Sequence, residues 1–334
     1  MNYPLLLTSL ADRRAARSLV ERCDLRFEDG FEDLVGIFDA GRLAACGARA
    51  GRILKMLVVA PEFRGTGLIG DIVTELMRLG REAGCEGFFI FTRPCTATAF
   101  TSLGFKPLVS HEKAVLLEHG NGLVSYFRAR ASLVRSGENG AVVVNADPFS
   151  LGHQYLIEHA STLMSTVYVL VPSEGRFVLP LPARLELARR GTAHLPNVVV
   201  TDTGPYLLSS ATFPGYFLKP GDQPDQIQLE IDVDLFGQHI APMFHIRTRL
   251  VGTEPLDPTT RSYNQTLRQR LGRWDVRLVE IERKRLGEHW INTRYVNHAL
   301  ARGDWRQVEA CVPPTTLAYL HDLRAELGAW KAAQ

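Results

Sequence analysis

The apolar positions of this chain recur with two different spacings, and the two spacings alternate along its length. Ala141 to Val144 is a short, continuous apolar run of the kind that forms a strand buried on both faces. Asn145 to Pro148 then interrupts it with turn formers, and from Gly152 onward the apolar residues recur with helical spacing. This stretch therefore predicts strand, tight turn and helix in direct succession, with the helix beginning near His153.

The same alternation continues further along the chain. Val167 to Val171 and Asn197 to Thr201 predict two more strands, and Leu181 to Arg190 predicts the helix between them. Strands separated by helices favour parallel pairing, with helices covering both faces of the sheet. Ligands of such sheets bind at the carboxyl ends of the strands, near the point where the strand order reverses. The turn before His153 is predicted to lie at such an end.

Residues 1–118 predict a separate α/β unit. Leu34 to Ala40 and Leu43 to Ala50 predict a hairpin, and Ile53 to Val59 predicts a strand that leads into a glycine-rich turn and an amphipathic helix. Glycine-rich turns then mark a connecting segment, residues 119–137, and a second α/β domain is expected over residues 138–334.

Composition and charge narrow the class of protein. A length of 334 residues suits about two domains, and 46% hydrophobic with 22% charged residues is typical of globular domains. A net charge of +2 and the lack of a basic tract argue against nucleic-acid binding. The five scattered cysteines have no C-x-x-C spacing, so neither a protein metal site nor a disulfide framework is predicted. Without a secretory signal or an apolar run near the roughly 20 residues that cross a membrane, a cytoplasmic protein is expected.

The residues around the helix start near His153 have the chemistry of a phosphate site. The free amides and the positive dipole end of a helix attract anions, and Gly152 would let an anion approach the backbone. Ser150 and His153 could donate hydrogen bonds to phosphate oxygens. A lone Gly-His pair is more often a helix cap or a surface histidine. Here the strand, the Asp-Pro-Phe turn, the hydroxyl and the Gly-His pair occur together in order, which favours phosphate binding.

The turn N-A-D-P-F-S-L-G-H resembles the form N-x-(N/D)-P-F-T-x-G-H of the HxGH signature of the nucleotidyltransferase superfamily. The resemblance implies a doubly wound parallel sheet with a nucleotide site at this turn. It also implies catalytic roles for two of the residues and binding roles for the rest. The implied site comprises Asn145, Asp147, Phe149, Ser150, Gly152 and His153, with Ser150 and His153 as the catalytic pair.

Residues 1–118 resemble the GCN5-related N-acetyltransferase fold, whose (Q/R)-x-x-G-x-(G/A) loop cradles the pyrophosphate of acyl-CoA. Arg64 and Gly67 match that loop, and Leu103 to Phe105 resembles the L-G-F that ends the fold. Ile69 occupies the last small position of the loop, where a branched side chain would crowd the phosphates. Acyl-CoA binding at this loop and a glycine turn that merely packs against a partner both remain open.

Three later segments narrow the resemblance to the citrate lyase ligases, also called acetate:[citrate lyase carrier protein] ligases. These segments are S-S-A-T-F-P-G-Y-F-L-K from Ser209 to Lys219, R-L-V-G-T-E-P from Arg249 to Pro255, and Tyr263-Asn264. The whole chain is similar to that family, which joins an acetyltransferase-like domain to a nucleotidyltransferase domain. The predicted site therefore gains Ser209, Ser210, Thr212 and Arg249 as nucleotide-binding residues and Lys219 as a catalytic residue. Surface lysines and arginines, however, usually only contact solvent.

What the resemblance implies is an AMP-forming ligase. Acetate attacks the α-phosphorus of ATP, giving acetyl-adenylate and pyrophosphate, and the prosthetic-group thiol of the acyl-carrier subunit of citrate lyase then takes the acetyl group. Such a reaction requires neutralised charge and alignment rather than a protein nucleophile. Mg²⁺, held mainly by the triphosphate and by water, would complete the site.

One segment departs from the superfamily pattern. Ile291 to Asn297 corresponds to the second phosphate loop, I-S-x-S-x-(V/I)-R, but both serines and the terminal arginine are replaced. Asn292 and Thr293 could still cap a helix and donate to phosphate. Arg294 could supply the missing charge from nearly the same helical face. The alternative is a loop that has lost its phosphate role.

Other functions remain open at this point. The same chemistry could act on a related carrier, such as that of malonate decarboxylase. The chain could instead be an acetyltransferase that uses its first domain, or a nucleotide- or carrier-binding protein with degraded phosphate loops.

Two further predictions concern single residues outside these motifs. Glu230, Asp232 and Asp234 alternate as on a solvated face, and His245 is expected to be a hydrogen-bonded core residue.

Overall fold

The computed structural model describes residues 3–207, 213–255, 257–287 and 289–332. They form two compact units, one built from residues up to 128 together with the segment that ends at 231, the other from 129–207 and 232–332. This differs from the predicted division, which placed everything after residue 138 in the second domain. Residues 213–231 pack with the first unit instead.

The first unit contains a mixed seven-stranded sheet in the order β1-β2-β3-β4-β5-β7-β6. Neighbouring strands are antiparallel except for β4 and β5, which run parallel. Its strands are β1 (Leu5–Leu6), β2 (Asp33–Asp39), β3 (Arg42–Ala50), β4 (Ile53–Val59), β5 (Phe88–Thr92), β6 (Phe105–Ser110) and β7 (Val115–His119). Its helices are α1 (Leu10–Arg22), α2 (Leu68–Glu82), α3 (Ala97–Thr101) and α4 (Gly122–Arg130), the last of which leads out of the unit.

The local structure of the first unit follows from its sequence. Ala40 and Gly41 both have positive φ, at 46° and 79°, which allows the two-residue turn between β2 and β3. The apolar stripe of α2, which includes Ile72 and Leu76, packs on the sheet and is fully buried. The predicted hairpin, strand and helix are confirmed.

The second unit is organised around a five-stranded sheet in the order β10-β9-β8-β11-β12, in which every pair is parallel. Its strands are β8 (Asn139–Val143), β9 (Thr166–Val171), β10 (Val198–Asp202), β11 (Ile246–Gly252) and β12 (Arg277–Ile281); a small hairpin adds β13 (Arg285–Leu286) and β14 (His289–Trp290). Its helices are α5 (Leu151–Leu163), α6 (Leu181–Thr192), α7 (Pro224–Leu235), α8 (Ala241–Met243), α9 (Pro258–Arg270), α10 (Thr293–Arg302), α11 (Trp305–Glu309) and α12 (Pro314–Ala332). Helix α7 begins in the segment that packs with the first unit.

The predicted α/β fold class is confirmed, and the strand order of the second unit is that of a doubly wound sheet. The order reverses at β8, because β8 pairs with β9 on one side and with β11 on the other. The side chains of β8 and β9 that face the helices are fully buried, as expected for a sheet covered on both faces. Within the described ranges, none of the helices is long and apolar enough to cross a membrane.

Two predictions about single residues are wrong. Asp232 and Asp234 lie on helix α7, and both are buried rather than solvated. Asp234 is ion-paired with Arg270 and accepts a hydrogen bond from Trp274 Nε1 at 3.0 Å, which compensates its burial. His245 lies on an exposed turn with a φ of 53°, not in the core.

Candidate functional site

A cavity of about 520 Å³ opens at the carboxyl edge of the second unit's sheet. The ends of β8 and β11 border it through Val143, Val144, Val251 and Gly252. These two strands are the neighbours between which the strand order reverses. The cavity therefore lies where doubly wound sheets bind their ligands, as the position of the His153 turn predicted.

His153 lies in the first turn of α5 and is oriented by Ser150. The Ser150 hydroxyl caps the helix by accepting from the His153 backbone N–H at 3.4 Å. The Ser150 backbone N–H in turn donates to His153 Nδ1 at 3.2 Å. Because Nδ1 acts as an acceptor, the proton of the neutral ring is assigned to Nε2.

The electrostatic environment keeps the imidazole of His153 neutral. Burial of the ring and, to a smaller extent, the positive charge of Arg283 lower the pKa of His153 from 6.5 to about 4. At neutral pH the side chain is therefore an uncharged donor through Nε2. This nitrogen lies 3.5 Å from the hydroxyl oxygen of Thr293, at the start of α10. His153 thus sits between the amino-terminal turns of two helices.

The second of these turns is capped as predicted. The Asn292 side chain accepts from the Tyr295 backbone N–H at 2.8 Å and forms the N-cap of α10. A Cβ atom on Gly152 would lie 2.7 Å from the carbonyl oxygen of Ile291, so only glycine allows α5 to approach this loop so closely. The amino termini of α5 and α10 consequently border the same cavity, which favours a negatively charged occupant.

Arg249 brings a buried positive charge to the cavity from β11. Its side chain is 1% exposed, and its guanidinium carbon lies 4.7 Å from the centre of the Phe236 ring. Within the described residues, its Nε and Nη1 atoms have no hydrogen-bond partner. Burial lowers the pKa of Arg249, and interactions with Tyr263 and with the carboxylate of Asp232 offset part of this effect. Buried donors without partners cost about 1–3 kcal/mol each, so this arrangement is what an anionic ligand would complete.

Two further cations at the cavity were not predicted. Arg283 and Lys284 follow the carboxyl end of β12 and line the same space. Arg283 Nε donates to the Thr253 carbonyl at 2.6 Å, and the guanidinium forms a 2.5 Å ion pair with Glu254. The signal was present in the sequence, because a run of basic residues directly after a parallel strand lies at the ligand-binding edge of the sheet.

Three residues predicted to bind nucleotide occupy different positions at the turn. Asn145 is exposed and lines the cavity. Asp147 lies behind the turn, because its carboxylate accepts hydrogen bonds from the backbone N–H groups of Val178 and Leu179, both at 2.8 Å. Phe149 is fully buried, with its ring 5.6 Å from that of His153. The structure thus gives Asp147 and Phe149 a supporting role in the turn rather than a place in the cavity.

The remaining predicted residues are more scattered. Arg294 lines the cavity with a side chain that is 80% exposed and forms a 2.9 Å ion pair with Asp257. Lys219 is an exposed residue of the segment that packs with the first unit, and it does not line the cavity. The other three predicted residues, Ser209, Ser210 and Thr212, lie outside the described residues.

The described residues hold no group of three or more His, Cys, Asp or Glu side chains arranged to bind a metal ion. The cavity does contain Glu254 and Asp257, but each is already ion-paired, with Arg283 and Arg294 respectively. A Mg²⁺ ion at this site would therefore have to bring most of its ligands with it, as an ion bound to a triphosphate does.

Comparison with known proteins links the chain to one family. Residues 139–320 match the family model described as the citrate lyase ligase C-terminal domain. The [citrate [pro-3S]-lyase] ligase of Klebsiella pneumoniae is 36% identical over 289 residues, which cover 84% of each chain.

Two solved structures represent the similarities in fold. An acyl-CoA N-acyltransferase from Pseudomonas aeruginosa is 11% identical with a TM-score of 0.30, and the alignment covers 36% of this chain and 100% of that one. TmcAL from Thermotoga maritima, solved with alpha-thio ATP, is 16% identical with a TM-score of 0.39, covering 57% of this chain and 56% of that one.

Proposed function

We propose that this chain, which belongs to the citrate lyase ligase family, is an ATP-dependent acid–thiol ligase that acts at the cavity of its second unit. In the first step a carboxylate oxygen of acetate forms a bond to the α-phosphorus of ATP. The bond from that phosphorus to the bridging oxygen breaks, and pyrophosphate leaves. In the second step the thiolate of the carrier's prosthetic group bonds to the acetyl carbon, and AMP leaves with the electron pair of the broken C–O bond.

The observation that carries this proposal is the buried Arg249. A guanidinium that is 1% exposed and has two nitrogens without partners among the described residues is an incomplete arrangement. Arginine presents a planar set of donors that suits phosphate oxygens, and such charge-assisted hydrogen bonds are roughly twice as strong as neutral ones. A phosphate bound in the cavity would satisfy the donors and the charge together.

His153 and the two helix starts supply a second set of donors. The assigned tautomer of His153 places a proton on Nε2, and Thr293 offers a hydroxyl 3.5 Å away. Since the pKa of His153 is lowered to about 4, the ring donates a hydrogen bond without taking up a proton at neutral pH. Its proposed role is to stabilise charge on the phosphate as the P–O bond breaks, and the role of Ser150 is to hold the ring in this tautomer.

The proposed reaction needs no nucleophile from the protein, because acetate and the carrier thiol supply both attacking atoms. The protein must hold anionic reactants together and neutralise their charge. Arg249, Arg283, Lys284 and Arg294 line one cavity, so four cations border the space that the triphosphate would occupy. Mg²⁺ that arrives with ATP would neutralise further phosphate charge when it is bound.

Exchange of labelled pyrophosphate into ATP tests the first step without requiring the carrier. We expect exchange that depends on acetate and on Mg²⁺, and that is lost when Arg249 is replaced by Met. Mass spectrometry of the carrier proteins of citrate lyase and malonate decarboxylase would then show which one gains an acetyl group. Absence of exchange with every short-chain acid tested would contradict the ligase function. Exchange without transfer to the citrate lyase carrier would contradict only the choice of partner.

A further inference from the structure

The two parallel strands of the first unit separate after a short paired region. β4 pairs with β5 only at Ile53–Phe89 and Leu54–Ile90. Each strand remains paired on its other side, β4 with β3 as far as Val59 and β5 with β7 as far as Thr92. Beyond the paired region, the facing edges of β4 and β5 no longer bond to each other. A wedge-shaped cleft with unpaired backbone groups therefore opens between them.

The first unit fills this cleft with its own chain. The Tyr216 hydroxyl donates to the Phe91 carbonyl on β5 at 2.8 Å. The backbone of Met56 on β4 lies close enough to the same oxygen to lower the pKa of the phenol. Tyr216 is 3% exposed, and its burial raises the pKa of the phenol. The phenolic oxygen thus lies between the two strand edges and satisfies an acceptor on β5.

Neighbouring aromatic residues extend the contact. The Phe213 ring meets the Phe91 ring edge-on, with centroids 5.3 Å apart, and Phe217 packs in the same way against Tyr216 at 5.3 Å. Phe217 is 1% exposed and Leu218 is 6% exposed. Such edge-to-face pairs stabilise a contact beyond the area that they bury. We call residues 213–218 the aromatic segment.

Polar contacts fix the backbone of the aromatic segment in the same place. The Gly215 N–H donates to Glu28 Oε1 at 3.0 Å, and the Tyr216 carbonyl accepts from the Arg26 N–H at 2.8 Å. Arg93 Nε, which follows β5 directly, donates to the Phe217 carbonyl at 2.5 Å. The segment is therefore bound through both its backbone and its side chains, as an integral part of the unit.

An acyl-CoA molecule would compete for the same groups. If its pyrophosphate bound at the loop of Arg64 and Gly67, which follows β4, any amide of its arm that entered the cleft would need the backbone groups on the free edges of β4 and β5, as an added strand does. Those edges are already engaged by Tyr216. Ile69 is not the obstacle that the sequence predicted, because its side chain packs against the hydrophobic core of the unit.

We infer that the cleft between β4 and β5 is a binding site for the chain's own aromatic segment and is not an acyl-CoA site. The first unit then has no acetyltransferase activity of its own. Its cleft instead binds residues 213–218, which are part of the family motif from Ser209 to Lys219. This inference rests on contacts within the first unit alone, so it stands or falls independently of the ligase function.

Replacing Tyr216 by Phe tests the contact with the removal of a single oxygen atom. The variant keeps the ring in the cleft but leaves the buried Phe91 carbonyl without its partner, so we expect the melting temperature to fall by several degrees. Tyr3→Phe is the matched control, because Tyr3 belongs to the same unit and is 69% exposed. It should leave the melting temperature unchanged. Equal melting temperatures for the two variants would overturn the inference.

Hydrogen exchange tests occupancy of the cleft in the intact chain. The amides of Met56, Gly215 and Leu218 should be protected in the wild type, and millimolar acetyl-CoA should leave their exchange rates unchanged. In Tyr216→Phe all three should exchange faster. Unprotected amides in the wild type would contradict the inference. So would faster exchange of the aromatic segment when acetyl-CoA is added, because that result would show the ligand displacing it.

Discussion

The two units each have a cleft at the ends of parallel strands, and the two clefts differ in whether their polar groups are already paired. In the first unit Tyr216 lies in the cleft between β4 and β5 and donates a hydrogen bond to the Phe91 carbonyl of β5. In the second unit the cavity at the ends of β8 and β11 contains the buried Arg249, whose Nε and Nη1 have no partner among the described residues. A strand followed by a turn that contains glycine and then a helix occurs at both places, so this order does not distinguish a ligand site from a filled cleft.

What distinguishes them is the energetic state of the buried polar groups. A cleft whose donors and acceptors are satisfied by the chain offers a ligand little, because binding must first break those hydrogen bonds. A cleft that buries a charge without full compensation is energetically unfavourable. An anion of suitable shape offsets this free energy when it pairs with the charge. Substitutions at the two clefts should therefore differ in their effects on ATP binding, catalysis and stability.

The buried arginines of the two units should respond in opposite ways to replacement by Met. Arg249→Met should weaken ATP binding by about 2–5 kcal/mol, roughly 30- to 5,000-fold, since a buried charged partner of the phosphate is lost. Its free energy of unfolding without ligand should change much less than its affinity for ATP, because the buried charge that is removed is incompletely paired. ATP titration and urea unfolding of the same preparation measure both effects.

Arg49 of the first unit is the matched control for Arg249. It is 5% exposed, but it donates to Asp33 at 2.6 Å and to the Gly51 carbonyl at 2.9 Å. Arg49→Met should lower the free energy of unfolding by roughly 3–5 kcal/mol, because Asp33 loses its partner, and should leave ATP binding intact. If Arg249→Met were destabilised as much as Arg49→Met, Arg249 would be a structural residue.

Replacing His153 should affect catalysis much more than folding. His153→Ala should slow pyrophosphate exchange by about 2.7–4 kcal/mol in activation free energy, roughly 100- to 1,000-fold, as expected for one lost charge-stabilising donor. His159→Ala on the same helix is the control, because that histidine is exposed. Comparable losses of exchange rate and thermal stability in His153→Ala would make the residue a helix-capping group only.

The lowered pKa of His153 makes stability depend on pH in a defined direction. The pKa falls from 6.5 to about 4 on folding, so above pH 6.5 the ring is neutral in both states and contributes nothing to the dependence. As the pH falls from 6.5 towards 4, the unfolded chain takes up a proton that the folded chain does not. The free energy of unfolding should therefore decrease by up to about 3 kcal/mol.

Urea unfolding at pH 7.5 and at pH 4.5 isolates this contribution when the wild type is compared with His153→Gln. The variant should lose less stability over this interval than the wild type does. In addition, the rate of pyrophosphate exchange should depend on pH in the same way in the wild type and in the variant between pH 6 and 8. An inflection near pH 6.5 that depends on His153 would show that the imidazole titrates normally.

The smallest effect is expected at Arg294. Its side chain is 80% exposed and its ion pair with Asp257 lies at the surface, so Arg294→Ala should change stability by less than about 1 kcal/mol. ATP binding should weaken by less than tenfold, measured by the ATP concentration that half-saturates pyrophosphate exchange. Asn297→Arg should not rescue this variant, because Asn297 Nδ2 already donates to the Asp147 carbonyl at 3.0 Å. If Arg294→Ala weakened ATP binding a hundredfold, Arg294 on α10 would be the main positive charge that binds the phosphates, in place of Arg249.

Much of the second unit's site could be predicted because local sequence determines it. The strand, the turn and the start of α5 follow from residues 141–153, and the alternation of strands and helices places that turn at the carboxyl edge of a parallel sheet. Arg249 was identified as a candidate from the family resemblance. Its burial without full pairing could not be seen, since that depends on Phe236 and on other elements that are distant in sequence.

The errors have a shared physical origin in tertiary contacts. A period of two at Glu230, Asp232 and Asp234 suggested a solvated face, but the segment is helical and two of these residues are paired in the interior. The motif assigned Asp147 to the ligand, whereas its carboxylate holds two backbone amides. The aromatic segment follows β10 in the chain but packs with the first unit, and no local pattern shows which sheet an aromatic run will join.

Parallel calorimetric titrations of the intact chain with ATP–Mg²⁺ and with acetyl-CoA would show which of the two clefts binds a ligand, because each ligand reports on one cleft. We predict saturable binding of one ATP per chain, abolished or strongly weakened in Arg249→Met, and no saturable binding of acetyl-CoA. Saturable binding of acetyl-CoA together with no measurable binding of ATP would contradict the account, since the filled cleft would then be the ligand site.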